Sequence, residues 1–515
     1  MDFFEEMRDV LLSGRIKDKE DLEDVKLELS KKYGLDYVPS DVEILNSFNF
    51  SEDVKKILRR KPTRTISGVA VVAAMTSPER CPHGKCIFCP GGVDNNSTQS
   101  YTGYEPAALR GRNNAYDPYM ETFNRIKQLE TIGHDTSKID LIIMGGTFTA
   151  RDRAYQRNFV KGCLDAMNGS LGNSLEESIR INETSRHRCI GLTVETKPDW
   201  FFEREIDEAL AYGTTKVELG VQNIDDRILA MNNRGHTVAD IARSTQLARD
   251  AGLKIVYHIM PGMYGSSFEK DLRSFDLMIN DERFKPDMLK IYQTLVTQGT
   301  GLYNLWKNGK YRPYTTAETV DLIVEFMRRM PEWIRVQRIQ RDIPVQFIVA
   351  GVKRSDIRNL VERRMREEGI KTGEIRYREI GHSTAKGENA ILKVEGYNAG
   401  GGREYFISYV TESNRIIGFV RLRIPSDRAH RQEVMNTGII RELKVFGQEV
   451  PVGRHEEDEW QHRGFGNRLV QEAERITLEE GLHRILVISG IGVREYFRKR
   501  GYEDLGPYVA KRLPS

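Results

Sequence analysis

The chain has 515 residues, of which 39% are hydrophobic and 30% are charged, and this composition is typical of a soluble globular protein. At roughly 150 residues per domain, the length predicts about three domains. No apolar run approaches the roughly 18 residues that cross a bilayer. Residues 1–30 also lack the pattern of a signal peptide. We therefore expect a cytoplasmic protein without a membrane partner.

The cysteines support the same compartment. Five cysteines are too few for a disulfide framework in a chain of this length, which favours a reducing environment. Cys163 and Cys189 stand alone in the sequence, as small buried side chains often do.

A reversal of charge marks the first segment. The whole chain carries a net charge of +3, but residues 1–53 contain 15 acidic and 7 basic side chains. Residues 54–64 then contain six basic side chains and no acid. The pattern over residues 1–65 predicts a helical N-terminal arm that ends in a basic face suited to phosphate contacts. A solvated helix surface is the alternative interpretation.

Alternating strand and helix patterns occupy residues 66–330 and predict βαβ units with a parallel sheet. Short β-branched runs predict six strands, at residues 66–75, 139–144, 190–195, 216–221, 254–260 and 288–295. Longer patterns predict helices at residues 118–132, 151–168, 200–212, 237–252, 267–280 and 316–330. Such repeats form a partial barrel or a doubly wound sheet, and in both the carboxyl ends of the strands build the ligand site.

The rest of the chain divides into two parts. Residues 331–380 are basic and mixed, which predicts a connector that packs on both neighbours. Residues 381–515 predict a separate α+β domain with an antiparallel sheet. Its predicted strands lie at residues 405–411, 416–423, 440–446, 484–489 and 508–513, and its helices at 466–480 and 492–500. We expect residues 399–402 to form a flexible loop or turn at its entrance.

Three cysteines lie close together after the first predicted strand, in the segment RCPHGKCIFCPGG. Cys81, Cys86 and Cys89 can hold three irons of a cubane cluster and leave the fourth iron open to a ligand. A zinc site with His83 as fourth ligand is the main alternative, although the short first spacer makes joint ligation awkward. A loop without any metal is the third interpretation.

A glycine loop precedes a predicted helix of the last domain, in the segment QHRGFG at residues 461–466. Backbone N–H groups at a helix N-terminus form an anion cradle, and glycine permits close approach of a pyrophosphate. A simple turn is the alternative for an isolated pattern of this kind. The flanking strands and the later Tyr496-Phe497 pair favour a binding loop, although both aromatic side chains also suit a packed core.

These features resemble known families. The three-cysteine loop, followed by Gly145-Gly146-Thr147 at the end of the second predicted strand, resembles the radical S-adenosylmethionine (SAM) superfamily. The glycine loop and its flanks resemble the GNAT acetyltransferases, in which such a loop holds the CoA pyrophosphate. Over nearly its whole length the chain resembles the catalytic subunit family of Elongator. The segments that carry this resemblance are CPHGKCIFCPGG, STQSYTGYEP, YDPY, MGGTF, ETKPD, ELGVQ, NRGHT, GTGLY, QRDIP, RELKVFG, QHRGFG and REYFRKRGY.

The resemblance implies a partial (βα)6 radical SAM barrel at residues 66–330 and a GNAT acetyl-CoA-binding domain at residues 381–515. It implies carboxymethylation of the tRNA wobble uridine at carbon 5. A radical derived from SAM takes a hydrogen atom from the acetyl methyl group of acetyl-CoA, the carbon radical adds to the uridine, and thioester hydrolysis leaves the carboxylate. The implied partners are the tRNA anticodon stem-loop and either accessory Elongator-type subunits or a second copy of the chain.

We expect four sets of site residues, with Tyr496 and the three cysteines as the catalytic ones. Cys81, Cys86 and Cys89 would bind a [4Fe-4S] cluster. The residues expected to bind SAM are Gly145, Gly146, Thr147, Glu195 and Gln222. Those expected to bind acetyl-CoA are Lys138, Glu442, Leu443, Lys444, Val445, Arg463, Gly464, Phe465, Gly466, Asn467, Tyr496 and Phe497. Those expected to bind tRNA are Lys55, Lys56, Arg59, Arg60, Arg64, Arg335, Arg338 and Arg341.

Two other functions fit parts of the sequence. A protein lysine acetyltransferase with a structural iron–sulfur domain would still transfer acetyl groups after its cluster cysteines are substituted. A tRNA-binding scaffold regulated by acetyl-CoA would not cleave SAM. Relatives often carry two tyrosines where this chain has Tyr496-Phe497, which puts any role for a second hydroxyl in question.

Overall fold

Three folded units follow one another along the chain in a computed structural model. The structure describes residues 2–16, 19–35, 37–48, 50–58, 68–380, 389–446 and 464–514. None of the described helices is long and apolar enough to cross a membrane. The predicted N-terminal arm is confirmed as helical in its described residues, which share one small apolar core. Its helices are α1 (Phe3–Leu12), α2 (Lys19–Lys32), α3 (Asp41–Ser47) and α4 (Glu52–Leu58).

The second unit is an open barrel of parallel strands that follow one another in chain order. This order confirms the partial barrel and excludes a doubly wound sheet. A seventh strand comes from the segment predicted to be a connector, so that segment completes the sheet. The strands are β1 (Ala70–Met75), β2 (Lys138–Met144), β3 (Arg188–Thr196), β4 (Lys216–Gln222), β5 (Lys254–Ile259), β6 (Met288–Ile291) and β8 (Arg335–Ile339).

Helices cover the outside of this sheet. The helix predicted at residues 151–168 has an apolar face, and its buried Phe159 and Leu164 belong to the same core as Ile139 and Leu141 of the second strand. The helices of this unit are α5 (Pro106–Asn113), α6 (Pro118–Thr131), α7 (Arg153–Asn168), α8 (Leu175–Asn182), α9 (Glu203–Ala211), α10 (Asp226–Met231), α11 (Val238–Asp250), α12 (Phe268–Asn280), α13 (Gly301–Lys307), α14 (Thr316–Arg329), α15 (Ile357–Glu367) and α16 (Ile375–Arg378). Two short strands, β7 (Val296–Thr297) and β9 (Ile348–Ala350), pair beside it.

In its described residues, the third unit is a second seven-stranded sheet with two helices. Its elements are β10 (Ala390–Ala399), β11 (Gly402–Thr411), β12 (Ile416–Ile424), β13 (Gly438–Val445), α17 (Phe465–Glu479), β14 (Arg484–Val487), α18 (Arg494–Arg498), β15 (Glu503–Leu505) and β16 (Tyr508–Arg512). The sheet order is β10-β11-β12-β13-β14-β16-β15. The expected turn at residues 399–402 is confirmed as a hairpin, with Gly400 and Gly401 at positive φ.

One expectation for this sheet was wrong. β13 and β14 run parallel, so the sheet is mixed and not antiparallel. Only Gly438–Ile440 pair with Ile485–Val487, and the two strands diverge beyond that point. A gap between strands therefore opens beside residues 441–445.

The third unit closes the amino end of the barrel. One face of its sheet packs on α17, and the other face carries arginines that enter the barrel floor. Arg441 donates to both carboxylate oxygens of Asp287, at 2.7 and 2.6 Å. Arg423 donates to Asp250 at 2.5 and 3.0 Å. These buried pairs fix the third unit opposite the carboxyl ends of the strands.

Candidate functional site

The three cysteines lie in the loop that leaves the carboxyl end of β1, and each sulfur accepts a hydrogen bond from a different part of the barrel. The Thr147 hydroxyl donates to Cys81 Sγ at 3.6 Å. Arg234 donates to Cys86 Sγ at 3.2 Å, and Gln99 Nε2 donates to Cys89 Sγ at 3.2 Å. Donors aimed at sulfur stabilise thiolates and tune iron–sulfur clusters, so these residues fit a cluster ligand set.

The spacing of the thiols argues against a single zinc ion. Tetrahedral zinc with Zn–S bonds of about 2.3 Å brings its sulfur ligands to about 3.8 Å from one another. Among the described His, Cys, Asp and Glu side chains, the one group of three whose ligand atoms all lie within 4.8 Å of one another is Glu195, Glu218 and His258. The three cysteine sulfurs do not form such a compact group, which fits a cubane cluster better because each of its cysteines binds a different iron.

Burial shapes the acid–base properties of the loop. It raises the pKa of the Cys81 and Cys89 thiols. Burial also lowers the pKa of His83 to about 3, and nearby Lys197 and Arg234 act in the same direction. His83 Nε2 lies 3.2 Å from Cys86 Sγ, so this neutral ring is within hydrogen-bonding distance of one of the three sulfurs.

Most residues predicted to bind SAM meet the cysteines in one cavity of about 130 Å³. Gly146, Thr147, Glu195 and Gln222 line it, while Gly145 lies just behind. Gly145 has a φ of 138°, and a Cβ there would lie 1.9 Å from Thr76 Oγ1. The glycine pair therefore allows a close backbone approach that no other residue type would permit.

Several cavity residues were not identified from the sequence as binding residues. Tyr101, Glu218, His258, Tyr292 and Arg234 line the cavity with the predicted set. The Tyr101 hydroxyl donates to Glu195 at 3.1 Å, and burial raises the pKa of Glu195. Glu218 and His258 point inward because they alternate with core residues on their strands. The sequence signal that could have identified these residues is an ionisable side chain within an otherwise apolar strand.

The glycine loop of the third unit is described from Gly464 onward, and Arg463 lies outside the described residues. Gly464 has a φ of 75° and is the N-cap of α17, and the first N–H groups of an α-helix make no hydrogen bonds within the helix. Tyr496 lies against this turn, since its hydroxyl donates to Asn467 Oδ1 at 3.2 Å. Phe497 is buried in the core of the third unit, so core packing accounts for it.

The predicted acetyl-CoA strand β13 has two different faces. Leu443 and Val445 pack toward the core beneath α17. Glu442 accepts a hydrogen bond from Arg421 at 2.8 Å, and this guanidinium lowers its pKa despite burial. Lys444 lies on the barrel side, where burial and then Arg335 lower its pKa to about 7. The predicted partner Lys138 begins β2 at the same end of the barrel.

The basic residues predicted to contact phosphates do not form one surface. Lys55 lies on α4, whereas Arg59, Arg60, Arg64 and the side chain of Lys56 lie outside the described residues. Arg338 and Arg341 line the cysteine cavity. Arg335 lies at the opposite end of the barrel, where it is paired with Glu379 and only 18% of its side chain is exposed.

Comparisons with known proteins agree with this architecture. Successive segments match the ELP3 N-terminal domain at residues 1–66, the Radical SAM superfamily at 75–278 and the Radical_SAM C-terminal domain at 286–367. The chain is 50% identical to the tRNA uridine(34) acetyltransferase of Methanocaldococcus jannaschii, covering 99% of this chain and 97% of that protein.

More distant relatives align over nearly the same length. The chain is 41% identical to Elongator complex protein 3 of Homo sapiens, covering 96% of this chain and 93% of that protein. The solved structure of Methanocaldococcus infernus Elp3 with an N-terminal deletion superposes with a TM-score of 0.77 at 45% identity, over 87% of this chain and 100% of that one. The chain therefore belongs to the Elongator complex protein 3 family, with a radical SAM domain at its centre.

Proposed function

We propose that this enzyme carboxymethylates the wobble uridine of tRNA at carbon 5, with acetyl-CoA as the source of the two-carbon unit. One observation carries the proposal: a single chain joins a cavity with three thiols to a glycine-capped helix and to β13 (the acyl strand), whose pairing with β14 ends at Ile440. Relatives that align over nearly the whole chain are named tRNA uridine(34) acetyltransferases. An acetyl carbon that becomes bonded to a ring carbon requires both kinds of site.

The chain's own residues divide the chemistry between them. Cys81, Cys86 and Cys89 would hold an iron–sulfur cluster, and Gly145-Gly146-Thr147 would bring backbone close to SAM. When bound, the cluster and SAM supply a radical that can take a hydrogen atom from a methyl group. The buried carboxyl of Glu195 and the Tyr101 hydroxyl lie in the same cavity, where they can orient a base by hydrogen bonds.

Acetyl-CoA would bind at the other end of the barrel. The first turn of α17 offers N–H groups to a pyrophosphate, and Gly466 leaves room there, since a Cβ would approach the Tyr496 hydroxyl to 3.3 Å. The edge of β13 beyond Ile440, where pairing with β14 has ended, would take the pantetheine arm. Because Glu442 and Lys444 face the barrel, this geometry favours delivery toward the barrel over transfer to a protein lysine.

The tRNA would approach the carboxyl end of the barrel. Arg338 and Arg341 border the cavity there, and an anticodon loop already offers unstacked bases. We retain Lys55, Lys56, Arg59, Arg60 and Arg64 as a proposed phosphate surface and omit Arg335, whose charge is committed to Glu379.

The test is reconstitution with a full product analysis. Anaerobically reconstituted protein is incubated with dithionite, SAM, acetyl-CoA and tRNA, and the nucleosides are identified by mass spectrometry. We expect 5-carboxymethyluridine, which depends on both SAM and acetyl-CoA. Its absence from a sample with an intact cluster would overturn the proposal. Acetylated protein lysine that persists in a Cys86→Ala variant would favour the acetyltransferase alternative.

A further inference from the structure

The lumen of the barrel is lined with ionisable side chains along much of its length. In closed parallel barrels this space is filled by branched apolar residues. Here Asp140, Lys216 and Lys254 occupy its amino end, and Glu218 and Lys290 lie farther along the strands. All five sit at alternate strand positions whose neighbours are core residues, so they share the inner face of the sheet.

These charges are arranged as successive ion pairs. Lys216 Nζ lies 3.2 Å from Asp140 Oδ2. One strand position farther along the inner face, Glu218 binds both Lys290 and His258, with His258 Nε2 at 2.7 Å. Burying charges is costly even when they are paired, and an apolar lumen would avoid that cost. The pairs therefore suggest a role that depends on charge inside the barrel.

The row of pairs connects the two sites. Strand β4 runs from Lys216 to Gln222, and its seven residues span about 20 Å. Gln222 lines the cysteine cavity. At the other end, Lys254 donates to the carbonyl of Arg441 on β13 at 3.4 Å, and its pKa is lowered to about 8 by burial. The acyl strand thus lies at the amino mouth of the lumen.

We propose that the lumen binds acetate and passes it from the acyl-CoA strand to the cysteine cavity. This proposal rests on the proposed function. At β13, water attacks the thioester carbonyl, the carbon–sulfur bond breaks, and acetate, CoA thiol and a proton leave. Acetate then moves from one cation to the next. Lys216 can bind the acetate carboxylate in place of Asp140, because the Asp140 side chain is 26% exposed and stays solvated when it is displaced. Lys290 offers the next cation toward the cavity.

The charges explain why the travelling species is the carboxylate. An intact thioester is neutral at its reactive end and could not replace a carboxylate beside either lysine. Acetate also already contains both carboxylate oxygens of 5-carboxymethyluridine. The balanced sum is SAM, acetate and uridine giving methionine, 5′-deoxyadenosine, 5-carboxymethyluridine and one proton, with no external oxidant.

A binding experiment tests the site without any catalysis. The line width of [13C]acetate is measured by NMR with the full-length protein and with two variants. Lys216→Met removes a lumen cation, while Lys161→Met removes a similar pair with Asp165 on the outside of the barrel. We expect the wild type and Lys161→Met to broaden the signal alike, and Lys216→Met to weaken acetate binding about tenfold. Equal binding by all three proteins would overturn the proposal.

A steric variant tests passage. Ile142 lies on the inner face of β2 between Asp140 and Met144, so Ile142→Trp narrows the lumen without changing charge. We expect 5-carboxymethyluridine to fall about tenfold or more, with iron content and CoA thiol release within about twofold of wild type. Unchanged modification, or loss of thiol release together with modification, would overturn the proposal. If the wild type makes no modified uridine, the proposed function fails, while the acetate titration still decides the lumen site.

Discussion

The two ends of the barrel use charge in opposite ways. At the carboxyl end, Cys81, Cys86 and Cys89 line a cavity with polar groups free to meet a ligand. At the amino end, Arg441 and Asp287 are fully buried and hold the third unit in place. The same parallel strands thus support an open cavity at one end and a closed joint at the other. In the proposed function, the joint positions the acetyl-CoA site and the cavity is the place of the radical chemistry.

The largest effect should follow from loss of a thiol at the open end. In Cys86→Ala, one corner of the ligand set and the hydrogen bond from Arg234 are both lost. We expect iron content after anaerobic reconstitution to fall about tenfold or more and turnover to disappear. Cys163→Ala is the matched control, because Cys163 is also buried but lies on α7 and not in the cysteine loop. Iron retained by Cys86→Ala would contradict the ligand assignment.

The closed end is tested by Arg441→Met. This change leaves the carboxylates of Asp287 and Glu404 buried without their main partner. We expect the free energy of unfolding to fall by about 3–5 kcal/mol in urea titrations. The control Arg475→Met removes an exposed pair with Glu472 on α17 and should cost less than about 1 kcal/mol. Equal effects of the two changes would show that the joint does not depend on its buried charges.

A smaller effect is expected at the glycine loop. Tyr496→Phe removes the hydroxyl beside the first turn of α17, and one hydrogen bond corresponds to about a two- to tenfold rise in KM for acetyl-CoA. Tyr502→Phe is the control, since that hydroxyl donates to Glu474 away from the loop. The measurement is thiol release at varied acetyl-CoA. A KM unchanged by Tyr496→Phe would remove this residue from the coenzyme site.

The smallest effect concerns pH. Burial and Arg335 lower the pKa of Lys444 from 10.5 to about 7 in the folded protein. Between these values the unfolded chain holds the proton and the folded protein does not, so this residue makes stability rise with pH. The Tm advantage of Lys444→Met over wild type should therefore shrink from pH 7 to pH 10. The exposed Lys307→Met should show a constant difference, and a constant difference for Lys444→Met would contradict the assignment.

Sequence patterns predicted the barrel well because its signals are local. Strand β5 and helix α12 end within one or two residues of their predicted bounds, since buried β-branched runs and capping residues act over a few positions. The edge strand β10 was missed, because most of its side chains are exposed and its apolar residues Ile391, Leu392 and Val394 do not alternate into a buried face. The parallel pairing of β13 and β14 depends on distant segments and left no local signal.

The candidate site also contains some residues that local sequence patterns predict and others that only the fold brings together. The cysteines and glycines are recognisable because their chemistry requires those residue types at short spacing. Arg234 and Gln99 reach the sulfurs from loops far apart in sequence, so only the fold reveals them. Arg335 was predicted to bind tRNA from its basic neighbourhood, but the register of β8 with β6 places it at the amino end of the barrel. That assignment needed the sheet topology.

The most direct test asks whether both ends act on the same carbon. Reconstituted protein is supplied with tRNA, unlabelled SAM and acetyl-CoA that carries three deuterium atoms on its acetyl methyl group. The account predicts 5′-deoxyadenosine with one deuterium and 5-carboxymethyluridine with two, both measured by mass spectrometry. Unlabelled 5′-deoxyadenosine formed together with modified uridine would contradict it, because the hydrogen atom would then come from elsewhere.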